Sequence, residues 1–493
     1  DVERSVLEAM DTSGRAILLA GATVVIALLG MFATGVAFMY GLAIAAVIAV
    51  LLTLIASLTL LPALLSRFGP RLVRQRGTGT HRFSRHRSSA AGVADGAATA
   101  LTPARGPSWR GWSKTVRAHP WPLAIVSLAL MIALLVPVVA MRLDSSDAGN
   151  DPSSTSSRQA FDLLAQGFGP GFNGPLLLVT QLPRAGDTAA LPALRALALA
   201  TPGVVAATAP RIAPSGDVAV ILAYPDSAPQ AVKTTNLVNH LRDDVLPAFD
   251  RKAGVSVLVG GFTAGSIDFS HVLSAKLPLF FGIVILLSAL LLLVIFRSIV
   301  IPIQAAMMNV LTIGAALGLT VAVFQDGFGA SLLGVQKGPI EAWIPVLMFA
   351  VVFGLSMDYE VFLISRVREK WVLRRDASAA VGDGLALTGR VITAAAAIMV
   401  CVFLSFTLGD ERTLKEFGFG LAVAVFLDAL VVRCMLLPAV LELLGPLTWR
   451  LPHWLDSRLP HINIEGSAAR ALPDLDSVAL DETPALTPTS AER

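Results

Sequence analysis

AILLAGATVVIALLGMFATGVAFMYGLAIAAVIAVLLTLIASLTLLPALLS, residues 16–66, runs for 51 residues without a charge. A transmembrane helix needs about 20 mostly apolar residues, so this run is too long for one crossing. The glycine- and aromatic-rich interruption from Gly30 to Gly41 divides it into two helices, roughly 16–33 and 41–62. Carried outward, the same ruler finds six more spans, at 121–141, 277–296, 299–324, 343–364, 391–408 and 417–437. The composition agrees: 55 % of the 493 residues are hydrophobic and only 15 % charged, where soluble domains run near 25 % charged. The expected fold class is a polytopic α-helical membrane protein with eight spans. A net charge of +3 is too small to suggest nucleic acid as a partner. Cys401 and Cys434 both lie in apolar runs, which excludes a disulfide framework and a zinc site built on cysteine.

Orientation follows from the basic segments, which stay on the cytoplasmic side. Residues 67–119 carry eleven Lys/Arg against the single acid Asp95, and 366–390 carry six against three. By helix parity the residues between, 143–275, are extracytoplasmic, and there eight Lys/Arg face eleven Asp. Within that segment the sequence predicts a helix at 157–166, a strand at 175–181, a helix at 188–200, strands at 204–209 and 217–224, a helix over 228–249 and a strand at 255–261. The order β-α-β-β-α-β is the ferredoxin-like split motif, an α+β unit. The stretch 76–106 is rich in Arg, Gly and Ser and reads as a disordered loop able to touch anionic lipid. The tail from about 464 also reads as disordered.

The chain repeats itself. Residues 12–69 begin TSGRAILLAGATVVIALLG and end LLPALLSRFG; residues 387–445 begin LTGRVITAAAAIMVCVFLS and end LLPAVLELLG. Gly14 maps to Gly389 and Pro62 to Pro438, so the offset changes by one residue across the whole unit, and extension backwards lays Asp1 over Asp376. Residues 1–66 are thus expected to be the last two helices of a first repeat, and 67–119 a basic cytoplasmic linker. Residues 120–142 then supply the first helix of a second repeat, 143–275 its outer domain, 276–445 its five remaining helices, and 446–493 a cytoplasmic tail. On this alignment the sequence is the carboxy-terminal part of a longer protein of twelve spans, a parallel-repeat transporter architecture.

Charges inside spans are the chemical signal. VVFGLSMDYEVFLISRVREKW (351–371) places Asp358 in a mostly apolar helix, where an acid costs about 2.5–3.5 kcal/mol on insertion scales and marks a functional site by default. Gly354 and Ser356 let a neighbouring helix approach closely, and Tyr359 supplies a hydroxyl. The last span adds Asp428 near its midpoint and Arg433 deeper. In the functional reading Asp358 gains and loses a proton while Asp428 and Arg433 set its field. The plainer reading pairs Asp428 and Arg433 with each other or with Glu360 to stabilise packing. Glu360, Arg366 and Arg368 lie toward the cytoplasmic boundary, where snorkelling or topology signalling is expected. The seven histidines fall outside the spans in no cluster, so neither metal nor cofactor is expected. No Gly-x-x-x-x-Gly-Lys-Ser/Thr loop occurs, which leaves an ion gradient rather than ATP as the energy source. An intramembrane enzyme would need a nucleophile and base at sensible spacing, and none is seen.

GLSMDYEVFLISRVRE (354–369), TGRVITAAA (388–396), KEFGFGLAVAVFLDALVVR (415–433) and SRQAFDLLAQGFGPGFNGP (157–175) together resemble the MMPL family of the RND superfamily, over residues 1 to about 460. The resemblance implies an RND-like bundle in the bacterial inner membrane and proton-motive-force-driven export of lipids or other hydrophobic molecules. It implies that Asp358 and Tyr359 form half of a proton relay, to which the reading of the spans adds Ser356, Glu360, Asp428 and Arg433 as supporting intramembrane polar groups. The family's other Asp-Tyr pair lies on a fourth helix that would precede Asp1. GGFTAGSIDF (260–269) would link the outer domain to the next helix, with Asp268 either coupling domain movement to protonation or capping the helix. Implied partners are membrane lipids, a hydrophobic or lipid substrate, protons, and further copies or accessory membrane proteins. The rival expectation is a non-transporting scaffold or lipid-binding partner subunit.

Overall fold

The computed structural model describes residues 14–74, 109–374, 376–452 and 455. The basic stretch 76–106, the tail from about 464, His81, His86 and the repeat's extension back to Asp1 lie outside the described residues. Among the described residues, seven helices are long and apolar enough to cross a membrane: Ala37–Leu64, Pro120–Ala140, Phe262–Phe296, Val300–Gln325, Ile344–Val372, Ala377–Leu408 and Arg412–Trp449. The first of the eight expected spans is helical, as α1 (Arg15–Leu29) and a 3-10 turn (Gly30–Thr34). Its apolar stretch, Gly21–Thr34, is shorter than a full crossing. After it come α2 (Ala37–Arg74), α3 (Trp109–Ala118) and α4 (Pro120–Leu135).

The chain then leaves the bundle as β1 (Leu143–Asp144) and α5 (Ser156–Phe168) and builds an α/β domain. Its elements are β2 (Leu176–Gln181), α6 (Leu191–Ala200), β3 (Val204–Ala207), β4 (Arg211–Ile212), β5 (Val218–Pro225), α7 (Val232–His240), a π turn (Leu241–Val245), α8 (Leu246–Ala253) and β6 (Ser256–Gly260). The sheet order is β3-β5-β2-β6 with antiparallel neighbours, and β4 pairs with β5. Period-two alternation places Leu176 and Leu178 of β2 and Ala219, Ile221 and Ala223 of β5 in a core completed by Leu194, Leu237 and Val238.

From β6 a single residue, Gly261, leads into α9 (Phe262–Phe296). The helix begins fifteen residues before the span read from hydropathy at 277, because its first turns (FTAGSIDFSHVLSAK) mix polar and apolar residues and an apolar-length ruler sees only the portion beyond them. Next come α10 (Val300–Thr320), a π turn (Val321–Gln325), α11 (Ala330–Leu333) and β7 (Ile340–Glu341), which pairs in parallel with β1. The chain ends with α12 (Ile344–Arg374), α13 (Ala377–Ser405), α14 (Arg412–Phe426), a π segment (Leu427–Leu436) and α15 (Leu437–Leu444). A 3-10 turn, Phe406–Leu408, follows α13 just as Gly30–Thr34 follows α1, so the two aligned copies break at the same place.

Close helix approach rests on glycine. A Cβ on Gly354 of α12 would sit 2.9 Å from the Val24 Cα of α1, and one on Gly318 of α10 would fall 1.9 Å from the Leu134 carbonyl oxygen of α4. Phe349 stacks on Phe281 at 4.1 Å and on Phe353 at 5.3 Å, joining α9 to α12 in the bundle core. Outside the bundle, α3 is pinned by the Trp112 indole, which donates to the Cys434 carbonyl at 2.8 Å, and by Ser113, which donates to the Gly382 carbonyl at 2.9 Å.

Candidate functional site

Between α10, α12 and the π segment lies a cluster without solvent contact. Arg433 is fully buried and its Nη2 donates to the Ser356 carbonyl at 2.7 Å and the Ser356 hydroxyl oxygen at 2.6 Å. Its Nη1 stands 3.0 Å from Glu360 Oε2, an ion-pair distance without hydrogen-bond alignment. Its Nε lies 3.4 Å from Asp428. Ser356 also reaches Asn309 Oδ1 at 2.5 Å and Asp428 Oδ1 at 3.0 Å. Two carboxylates thus share one guanidinium in a region where an unpaired charge is costly.

Local backbone geometry explains the convergence. Five residues separate Asp428 from Arg433, which on an α-helix turns them about 140° apart. The π segment closes i→i+5 rings, and that wider turn returns both side chains to one face. Ser356 and Glu360 are four apart on α12 and present the matching face.

Asp358 is not in this cluster. It is two residues from both Ser356 and Glu360, about 200° around the helix, and shares a face with Gly354, which packs on α1. Its Oδ1 is buried and has no hydrogen-bond partner among the described residues. Tyr359 donates its hydroxyl to the Met399 sulfur at 3.3 Å. The structure therefore unites Ser356, Glu360, Asp428 and Arg433, adds Asn309, and leaves Asp358 and Tyr359 on separate faces. Glu360 corrects the boundary reading: it has no exposed surface and faces Arg433 rather than water. Arg366 is part-exposed beside Glu369, and Arg368 donates to the Ile295 carbonyl at the end of α9.

Asp268 does not cap α9, whose N-cap is Gly261. It forms a forked pair with Arg242 of the π turn after α7, at 2.5 and 2.9 Å, and Arg242 also donates to the Val259 carbonyl. The pair borders a cleft of about 550 Å³ with apolar Met141, Leu143, Ile267 and Leu277 and polar Asn239 and His271.

A second buried network, absent from the sequence reading, lies where the α/β domain joins the bundle. Arg412 at the start of α14 pairs with Glu416 at 3.0 Å. Its guanidinium also donates to the carbonyls of Pro339 (2.9 Å), Gly338 (3.0 Å), Gln336 (3.2 Å) and Phe324 (3.3 Å). Glu416, fully buried, accepts the Glu341 amide at 3.1 Å, and Glu341 Oε2 accepts the Ser146 amide at 2.8 Å. The i, i+4 spacing of Arg412 and Glu416 was the one signal available beforehand. Nearby, Asp147 caps the turn Ala148–Asn150. Burial pushes its carboxyl above the ordinary 3.8, opposed by the Gly149 amide and reinforced by Asp144 and Asp151.

Comparison with known proteins matches residues 1–125 and 187–459 to the MMPL family. Membrane protein YdfJ of Bacillus subtilis is 34 % identical over 94 % of this chain and 60 % of its own length. The mycolic acid-containing lipids exporter MmpL11 of Mycolicibacterium smegmatis is 31 % identical over 100 % of this chain and 50 % of its own. The protein named heme uptake protein MmpL11 in Mycobacterium tuberculosis H37Rv is 32 % identical over 98 % of this chain and 49 % of its own. The chain thus spans about half to three-fifths of the length of these relatives. The family match takes in all of α12 and α14, the helices that carry Asp358, Glu360 and Glu416, and the π segment with Arg433, and on that ground the chain is a multi-pass membrane protein of the MMPL family.

Proposed function

We propose that the chain serves a transporter that spends the proton-motive force on exporting lipids or other hydrophobic molecules. One observation carries this reading: Asp358, inside a membrane helix, holds a buried carboxyl oxygen that no group among the described residues satisfies. Glu360, whose carboxyl oxygens also lack an aligned hydrogen bond, has the Arg433 guanidinium at 3.0 Å and Asp428 has it at 3.4 Å, whereas Asp358 has no cation beside it among the described residues, and a carboxyl so placed is suited to bind a proton and release it. Arg433 neutralises charge on the opposite face of α12 and leaves the α1 face to Asp358. Protonation there changes how α12 packs on α1 through Gly354 and tilts the bundle.

In this reading α1 is the eighth span, the α/β domain is extracytoplasmic and the carboxy-terminal end is cytoplasmic, in keeping with the basic segments. The sheet order β3-β5-β2-β6, with helices following β2 and β5, supports a ferredoxin-like domain. The cleft beside Arg242 and Asp268 supports an amphiphilic cargo, since its lining mixes apolar Met141, Leu143, Ile267 and Leu277 with polar and charged side chains. The relatives' names divide between lipid export and heme uptake, so both cargo classes enter the test.

Membrane vesicles bearing the protein are loaded with a fluorescent acyl amphiphile or with heme, and a pH gradient is imposed. Gradient-dependent movement of the amphiphile is expected, reduced at least tenfold in Asp358→Asn. Undiminished gradient-dependent movement in that variant removes Asp358 from the mechanism, and movement of heme alone overturns the lipid assignment.

A further inference from the structure

We propose that Arg412, Glu416 and Glu341 are coupling residues, which tie the position of the α/β domain to the membrane helix that carries Asp428 and Arg433. The strand that leads into the domain, β1, and the strand it pairs with, β7, both meet at these residues. The segment before the domain enters through β1, where the carbonyls of Asp144 and of the preceding Arg142 accept the amides of Ala342 (3.0 Å) and Ile340 (2.8 Å). Glu341, between those two, holds the Ser146 amide with its side chain and gives its own amide to Glu416. Asp144 accepts the Ser266 hydroxyl at 2.5 Å, which brings in the first turns of α9.

The domain itself touches the same place. Gln230, just before α7, donates to Asn150 at 2.6 Å and to the Ser145 carbonyl at 2.9 Å. A Cβ on Gly338 would lie 2.7 Å from the Asn150 side-chain nitrogen, so glycine there admits the domain loop against the connection that Arg412 grips. Arg412 alone holds four carbonyls of the connection between α10 and β7, an arrangement that a guanidinium fork satisfies and an ammonium does not. These bonds are almost wholly buried: Arg412 is 5 % exposed and Glu416 0 %.

The other end of the argument is rigidity. Glu416 and Asp428 are twelve residues apart on one continuous helical element, about 18 Å along its axis. A shift or rotation of that element, driven by a change around Arg433, moves the anchor of β7, and movement of the domain pulls on Arg433. Reciprocity of that kind is what coupling between two sites means.

The test reads backbone exchange, with neither gradient nor cargo, so its outcome is separate from that of the transport reading. Hydrogen exchange across 338–342 is followed in nanodiscs for the chain, Asp428→Asn, Glu416→Gln and the double variant. Asp428→Asn alone is expected to speed exchange of the Ile340 and Ala342 amides about tenfold. In the Glu416→Gln background the same substitution changes it less than twofold. Protection across β2 and β5 reports that the domain remains folded. If Glu416→Gln loses that protection, Arg412→Lys takes its place, and if Asp428→Asn misfolds, Ser356→Ala does. Equal responses in the two backgrounds, or none at 338–342 in the unaltered chain, overturn the proposal, because a merely structural anchor gives additive effects.

Discussion

Replacing Arg433 by Met removes the cation that faces both carboxylates, at a site where Glu360 is 0 % and Asp428 2 % exposed. The variant keeps an apolar side chain of similar reach and strips out the contacts at 3.0 and 3.4 Å to the two carboxylates and at 2.7 Å to the Ser356 carbonyl. Breaking a buried pair from one side costs about 3–5 kcal/mol because a charge is left uncompensated. At roughly 1.4 kcal/mol per decade, that is two to three and a half decades in the unfolding equilibrium. Neutralising the partners in the same background, as Glu360→Gln and Asp428→Asn, returns most of the loss, since a fully neutral replacement of a buried ion cluster is often near neutral in stability. Detergent-driven unfolding in bicelles, followed by tryptophan fluorescence, should rank the unaltered chain first, the triple variant next and Arg433→Met last. The reasoning fails if Arg433→Met lies within about 1 kcal/mol of the unaltered chain, or if the triple variant is no more stable than the single one.

Asp147 predicts a pH response in the loop beneath the α/β domain. Its folded value is raised, so ionisation opposes the local fold: the penalty is absent below 3.8 and complete above the folded value. Amide protection over 148–151, corrected for intrinsic exchange, should fall as pH rises through that window, and Asp147→Asn should flatten the response. Asp268 and Arg242 are part-exposed, 57 % and 27 % at their side chains, so Asp268→Asn should cost under about 1 kcal/mol in the unfolding assay.

Seven of the eight spans were legible because a bilayer demands long uncharged runs, and the repeat rests on Gly14 and Pro62 recurring at nearly one offset. Depth along a helix can be counted from its ends; azimuth cannot. Glu360 counts as near the boundary by depth, yet its face is set by Ser356 one turn earlier and by a partner seventy-three residues on. The same limit separated Asp358 from Arg433, which the sequence had joined because both are charged and deep. RTLKEF (412–417) lies at the edge of the span read at 417–437, and only the folding of β1 and β7 over it makes Arg412 and Glu416 interior residues. The widening that aligns Asp428 with Arg433 carries no compositional mark, though an acid and a base five apart in a buried helix is a pattern worth seeking elsewhere.

The 35 residues of α9 measure about 52 Å at 1.5 Å each, well beyond a hydrocarbon thickness of about 30 Å. Pro278 interrupts its backbone bonding sixteen residues from the Phe262 end, a natural place for a bend. With only Gly261 between this helix and the outermost strand, the part beyond Pro278 is a lever arm of about 24 Å with the sheet as its load. A bend of roughly 10° there would carry the strand about 4 Å sideways, so a small motion within the lipid reappears at the sheet enlarged and already aimed.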